Sequence, residues 1–186
     1  MGLITIIIIS VGLAMDAFAV SIVSGSVYKQ LKIKHIFRIA LFFGSFQAFM
    51  PLLGSLAGMS VKQHLANYDH WIAFGLLSSV GVKMIYESFK IAPAKQNFNP
   101  SNIFILLILS VATSIDALVV GITLSFLEVS IAIAVVIIGL VTFTLSYLGV
   151  FIGKKVGHFF ESKIEAAGGL ILIILSVKIL LEHLLL

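Results

Sequence analysis

Residues 10–20 read Ser-Val-Gly-Leu-Ala-Met-Asp-Ala-Phe-Ala-Val, and residues 110–120 read Ser-Val-Ala-Thr-Ser-Ile-Asp-Ala-Leu-Val-Val. Each copy places an aspartate, Asp16 or Asp116, inside an apolar stretch long enough to cross a lipid bilayer. A carboxylate at that depth costs a few kcal/mol or more, so such residues usually have a function. The matched pair predicts one site that is assembled from two halves of the chain.

The composition is that of a protein embedded in a membrane. The chain has 186 residues, of which 60% are hydrophobic and 11% are charged, whereas about 25% of a soluble domain is charged. It has no cysteine, which excludes disulfides and thiolate metal sites. The net charge of +4 is modest and unevenly distributed, which predicts a role in topology and no binding of nucleic acid.

Six apolar stretches are long enough to span a bilayer, because each has about 20 residues or more. They run at about 3–24, 36–60, 69–90, 103–125, 131–153 and 164–185. We expect the first to be a retained helix and no cleaved signal peptide, because Asp16 interrupts it and a copy occurs near residue 110.

The chain repeats itself. The first and fourth stretches match at an offset of about 100, and the other two pairs match at an offset of about 95. We predict a first repeat at 1–91, a linker at 92–102 and a second repeat at 103–186. Three helices per repeat is an odd number, so the second copy enters the membrane from the opposite side. The predicted fold is an all-α integral membrane protein with six transmembrane helices as two inverted three-helix repeats.

Basic residues set the predicted orientation. One side of the predicted membrane protein carries nine of them, and the other carries Lys62. The nine are Lys29, Lys32, Lys34, Arg38, Lys90, Lys95, Lys154, Lys155 and Lys163. Because basic loops stay in the cytoplasm, we expect both termini to lie outside it. The cluster formed by Lys29, Lys32, Lys34 and Arg38 should also contact anionic membrane lipids.

Asp16 and Asp116 are predicted to lie at similar depth, near the bilayer midplane, as the primary ligands of an oxygen-rich cation site. Such sites suit Mg²⁺, Ca²⁺ or Mn²⁺. The secondary candidates are Gln47, Thr113, Thr142, Ser21 and Met15. A thioether could help to distinguish Mn²⁺ from Mg²⁺, or Met15 could simply face lipid or the core. Gln47 and Thr142, equivalent at the offset of 95, either line a pathway or join helices by hydrogen bonds.

Protons and a metal ion would compete for the two carboxylates, because metal ligands must be deprotonated. That competition is a mechanism for proton–metal antiport. The alternative is that each aspartate caps or hydrogen-bonds a broken helix.

Two further patterns have two interpretations each. Gly54 and Gly58, like Gly149, Gly153 and Gly157, are spaced for close helix contact, within one chain or in a homodimer. The i,i+4 pairs are Lys83 with Glu87 and Lys178 with Glu182. They are either ion pairs that extend to the membrane surface or symmetric gates.

The duplicated aspartate motif, with Gly44, residues 51–54 (Pro-Leu-Leu-Gly) and residues 70–74 (His-Trp-Ile-Ala-Phe), resembles the MntP-type manganese efflux pumps. The resemblance covers essentially the whole chain. It implies a six-helix protein of the bacterial inner membrane that exports Mn²⁺ from the cytoplasm, with functional acidic residues at Asp16 and Asp116 and a required glycine at Gly25. Gln47 stands where many members carry glutamate, which leaves metal selectivity and proton stoichiometry open.

The expected function is export of Mn²⁺ as a transported substrate, coupled to H⁺, with no permanently bound cofactor. The alternatives are export of another divalent cation or a small solute, and a non-transporting membrane assembly factor. An enzyme is not expected, because the sequence has no nucleophile–base arrangement and no phosphate-binding loop.

Overall fold

A computed structural model describes residues 2–27, 32–65, 69–89, 102–127, 129–156 and 161–184. These residues form six helices and no β-strand, so the all-helical prediction is confirmed. The helices are α1 (Leu3–Val27), α2 (Ile33–Leu65), α3 (Asp69–Ser88), α4 (Ile103–Phe126), α5 (Ile131–Val156) and α6 (Glu161–Leu184). Apart from Asn102, the predicted linker at 92–102 lies outside the described residues.

Four of these helices, α1, α2, α4 and α5, are long and apolar enough to cross a membrane. Large apolar side chains cover their outer surfaces, among them Phe37, Leu107 and Leu140. A surface of this kind is unfavourable in water and suits lipid. Helices α3 and α6 are not in this group, and the described apolar part of α6 is the shorter stretch Ala166–Leu181.

The two halves of the chain interlock. The most extensive contacts pair α1 with α5, α2 with α4, and α3 with α6, while α2 also packs on α5. Each of these contacts joins a helix of residues 1–91 to one of residues 103–186. Within a half, α1 and α2 touch only narrowly, as do α4 and α5. The core is therefore built between the halves.

Glycines allow the close crossings. A β-carbon at Gly54 of α2 would collide with the carbonyl of Leu118 on α4, and one at Gly149 of α5 would collide with the carbonyl of Phe18 on α1. Gly54 and Gly149 are equivalent at the offset of 95, as are Phe18 and Leu118 at the offset of 100. The same contact is made twice, and it lies within one chain. Gly157 lies outside the described residues.

Helices α3 and α6 pack on one another through small residues. Gly81 of α3 approaches the carbonyl of Gly169 on α6 so closely that a β-carbon would not fit. The hydroxyls of Ser78 and Ser176 are 2.7 Å apart and share a hydrogen bond. These contacts hold α3 of the first half against α6 of the second.

Candidate functional site

Asp116 lies near the middle of α4 with 4% of its surface exposed. The ammonium nitrogen of Lys83, on α3, donates a hydrogen bond of 2.7 Å to its Oδ1 atom. The other oxygen of Asp116, Oδ2, is buried and accepts no hydrogen bond from the described residues. The ammonium group of Lys83 therefore compensates the negative charge of Asp116 at Oδ1, while Oδ2 can accept a ligand.

Lys83 lies between acidic groups. Its ammonium nitrogen is also 3.6 Å from Oε2 of Glu87, one helical turn further along α3. The predicted i,i+4 pair of Lys83 and Glu87 is therefore present, but the shorter contact of Lys83 is the inward one to Asp116.

Asp16 lies near the middle of α1 and is half-buried. Helix α1 also touches α4, the helix that carries Asp116. Both α1 and α4 run as unbroken α-helix through their aspartates. Neither aspartate caps a broken helix, and backbone carbonyls next to them remain within the helical hydrogen-bond pattern.

Gln47, from the middle of α2, is 1% exposed. Its Nε2 donates a hydrogen bond of 3.1 Å to the carbonyl of Leu13, one turn before Asp16. Its Oε1 is buried without a hydrogen-bond partner among the described residues. Pro51, inside the same helix, has no N–H to give to the carbonyl of Gln47 four residues earlier. Gln47 therefore joins two helices and also offers oxygen atoms.

Thr142 and Ser146 lie one turn apart on α5, and neither has exposed surface. Both hydroxyls lack a hydrogen-bond partner in the described part of the chain. The i,i+4 and i,i+7 spacings place them on the same helix face as Gly149, which packs against Phe18 and Ser21 of α1. Ser146 is a further candidate residue, which the sequence analysis did not name.

The other secondary candidates are engaged locally. The hydroxyl of Thr113 donates to the carbonyl of Leu109 at 3.0 Å, and that of Ser21 donates to the carbonyl of Ala17 at 2.6 Å. Met15 packs on α6, where a β-carbon at Gly168 would collide with its side chain. Of the two interpretations of Met15, the core-facing one describes its position.

Gly25 lies near the end of α1, where a β-carbon would collide with the carbonyl of Val150 on α5. The glycine is needed there because the two helix backbones approach too closely for any side chain.

Within the described residues, no group of three or more His, Asp or Glu side chains could hold a metal ion. A cation at this site would thus depend on the two aspartates and on neutral oxygen atoms. Such ligands suit hard divalent cations.

Comparison with known proteins identifies relatives along the whole chain. The protein-family model described as "Putative manganese efflux pump" matches residues 30–180. No solved structure matches the chain.

Three full-length relatives carry the same descriptive name. A protein from Crocosphaera subtropica is 52% identical over 184 residues, covering 99% of this chain and 98% of the relative. One from Methanosarcina barkeri is 49% identical over 185 residues, covering 100% of this chain and 99% of the relative. One from Acetivibrio thermocellus is 48% identical over 184 residues, covering 99% and 93%.

Proposed function

The chain belongs to the family of MntP-type manganese efflux pumps, and on that premise we propose that it exports Mn²⁺ from the cytoplasm across the bacterial inner membrane. The family predicted from the duplicated aspartate motif is confirmed by these relatives.

The site of the proposed transport is the region between Asp16 and Asp116. The observation that carries this proposal is a set of buried oxygen atoms without hydrogen-bond partners among the described residues. They belong to Asp116, Gln47, Thr142 and Ser146. Buried polar atoms in proteins nearly always have a hydrogen-bond partner, so exceptions require an explanation. Carboxylate, amide and hydroxyl oxygens are ligands that Mn²⁺ accepts.

The packing supports two inverted repeats as the moving parts. The repeat matches α1 with α4, α2 with α5 and α3 with α6. The contact of α1 with α5 therefore corresponds to that of α4 with α2, and the contact of α1 with α6 corresponds to that of α4 with α3. A pseudo-two-fold axis in the membrane plane would produce this exchange and would bring one aspartate from each half to similar depth. We propose that all six helices span the membrane, with both termini outside the cytoplasm, and that the halves alternate access to the site.

Export against a gradient needs a coupling ion, and H⁺ is the ion that the aspartates can carry. Mn²⁺ binds to deprotonated carboxylates, so protonation from outside would release it. Protons that bind from the outside and dissociate into the cytoplasm would reset the site. This part of the proposal depends on both Asp16 and Asp116 being ionised when Mn²⁺ binds.

The test is ion flux into liposomes that contain the purified protein. We expect Mn²⁺ transport to be faster when a pH gradient drives protons in the direction opposite to Mn²⁺. We expect Asp16→Asn or Asp116→Asn to abolish this transport. Thr144→Val is a matched control, because Thr144 is an exposed residue of α5 whose hydroxyl bonds to the carbonyl of Leu140. Absence of Mn²⁺ flux in the wild-type protein would refute the proposal. A flux that is the same with and without the pH gradient would refute proton coupling.

Selectivity is tested in the same liposomes with Mg²⁺, Fe²⁺ and Cd²⁺ as competitors. Met15 packs against α6, so the proposed ligands are all oxygen atoms and include no thioether. We expect Cd²⁺, which prefers sulfur, to compete poorly, and Mg²⁺ to compete when in large excess.

A further inference from the structure

We propose that Lys83 is a tethered cation that competes with Mn²⁺ for Asp116, and that it moves to Glu87 when the metal ion binds. The inference rests on the proposed function, because it assigns a role to Lys83 in the same site. It goes beyond the two-aspartate site by naming the internal group that the metal ion must displace.

Distance and burial identify the two positions of Lys83. Its ammonium nitrogen is 2.7 Å from Oδ1 of Asp116 and 3.6 Å from Oε2 of Glu87. The side chain of Asp116 is 5% exposed, whereas those of Lys83 and Glu87 are 41% and 45% exposed. Lysine has a flexible four-carbon stem with rotatable bonds, so a small rotation moves its charge from the buried carboxylate to the exposed one.

Like charges make Lys83 and a divalent cation alternatives at Asp116. The ammonium group of Lys83 occupies Oδ1 of Asp116 at 2.7 Å, and a Mn²⁺ ion bound to the same carboxylate would repel it. Uncompensated charge is costly within a membrane protein. Metal binding is therefore coupled to the departure of Lys83 from Asp116.

Lys83 keeps a partner in both states. When the ammonium group leaves Asp116, it pairs with Glu87 near the more exposed end of the contact. When the metal ion leaves, Lys83 can return to Asp116 and compensate the buried carboxylate. This exchange weakens Mn²⁺ binding at equilibrium and accelerates its release, which an exporter needs for turnover.

The experiment measures Mn²⁺ affinity by calorimetry on purified, detergent-solubilised protein. We expect Lys83→Met to lower the dissociation constant by roughly tenfold or more, because the competing charge is gone. We expect Glu87→Gln to raise it several-fold, because Lys83 loses its alternative partner. Lys34→Met, an exposed lysine at the start of α2, is the matched control for loss of one positive charge and should leave the constant unchanged.

A static role for Lys83 predicts the opposite sign. If Lys83 only holds α3 against α4, then Lys83→Met lowers thermal stability and leaves Mn²⁺ affinity unchanged or weaker, and the inference is wrong. Lys83→Arg guards against a folding defect, since arginine keeps the charge and binds a carboxylate through two nitrogens. It should fold and bind Mn²⁺ more weakly than the wild type, and equal or tighter binding would also overturn the inference.

Different results would contradict Mn²⁺ transport and the competition of Lys83 with Mn²⁺. If the wild-type protein binds Mn²⁺ but Lys83→Met binds it no more tightly, only the inference about Lys83 falls. If neither protein binds Mn²⁺ in folded form, the proposed function falls and the inference falls with it. Faster release from the wild type than from Lys83→Met, measured after rapid dilution into chelator, would support the exchange directly.

Discussion

Lys83 and Asp116 form a 2.7 Å ion pair that joins α3 of the first half of the chain to α4 of the second. The pair compensates the negative charge of Asp116, the more buried of the two aspartates. Since Asp116 and Asp16 belong to copies of one motif, and Lys83 and Lys178 are equivalent at the offset of 95, the repeat predicts a corresponding relationship between Asp16 and Lys178. Their helices, α1 and α6, do pack together.

Neutralising either aspartate should stop export. We expect Asp16→Asn and Asp116→Asn to reduce Mn²⁺ flux by roughly 100-fold or more, since even indirect partners of metal ligands cost 10–100-fold. Flux into liposomes, normalised to the amount of folded protein, measures the effect. Asparagine keeps the shape of the side chain, so both variants should reach the membrane at the wild-type level. Normal export by either variant would exclude that carboxylate from the mechanism.

The close helix crossings should respond sharply to a single methyl group. We expect Gly54→Ala to lower the free energy of unfolding by about 1–3 kcal/mol, because the added carbon overlaps the carbonyl of Leu118. Gly75→Ala is the matched control, since no atom lies within 4 Å of a β-carbon there. That change should be neutral or stabilise the helix by up to about 1 kcal/mol. Thermal unfolding in detergent, followed by the fluorescence of Trp71, compares them.

Gln47 should tune the affinity of the site. We expect Gln47→Glu to tighten Mn²⁺ binding by roughly tenfold, because a carboxylate, the third after Asp16 and Asp116, replaces the neutral amide. Gln47→Leu should weaken binding, since it removes that oxygen and the hydrogen bond to Leu13. Calorimetry measures both, with Ser45→Ala on the same helix as a control. Equal affinities in all three variants would remove Gln47 from the ligand set.

The buried hydroxyls on α5 separate function from stability. Thr142→Val and Ser146→Ala remove oxygens that have no hydrogen-bond partner among the described residues, so we expect unchanged or slightly higher thermal stability. Mn²⁺ flux should fall if these oxygens line the pathway. Thr144→Val on the opposite face of α5 should change neither quantity. Loss of stability with normal flux would instead indicate a purely structural role for the two hydroxyls.

Cysteine labelling can determine the topology, because the chain has no native cysteine. We expect Ser130→Cys, between α4 and α5, to react with a membrane-impermeant maleimide from outside the cell. Lys34→Cys, at the start of α2, should react only after the membrane is permeabilised. If the N-terminus lies outside and α3 does not cross the bilayer, Ser130 lies on the cytoplasmic side. Protection of Ser130→Cys in intact cells would therefore contradict the six-span arrangement.

Local sequence patterns were sufficient to predict the helices. Each of the six apolar stretches lies largely within one helix of the structure, because a lipid-embedded backbone must satisfy its hydrogen bonds internally. The sequence also singled out Gln47 and Thr142, because a polar side chain is conspicuous in an apolar stretch, and both are buried in the structure. These predictions need no knowledge of how the helices pack.

Contacts between the halves were harder to predict. Lys83 was paired with Glu87 because an i,i+4 spacing is visible in one helix, whereas its contact with Asp116 depends on how α3 meets α4. The stronger signal was energetic, since a lysine and an aspartate within apolar stretches should be expected to pair. Ser146 was missed because its repeat equivalent is Pro51, so comparison of the halves marks no shared polar residue there.

The interlocking of the halves has a consequence for how the protein is made. Helices α1 and α2 leave the ribosome first, yet their main packing partners are α4, α5 and α6. The first three helices thus lie in the membrane without their native packing partners until the second half has been synthesised. During that interval Lys83 has no Asp116 to meet, and the nascent chain depends on lipid and the insertion machinery to keep it unaggregated.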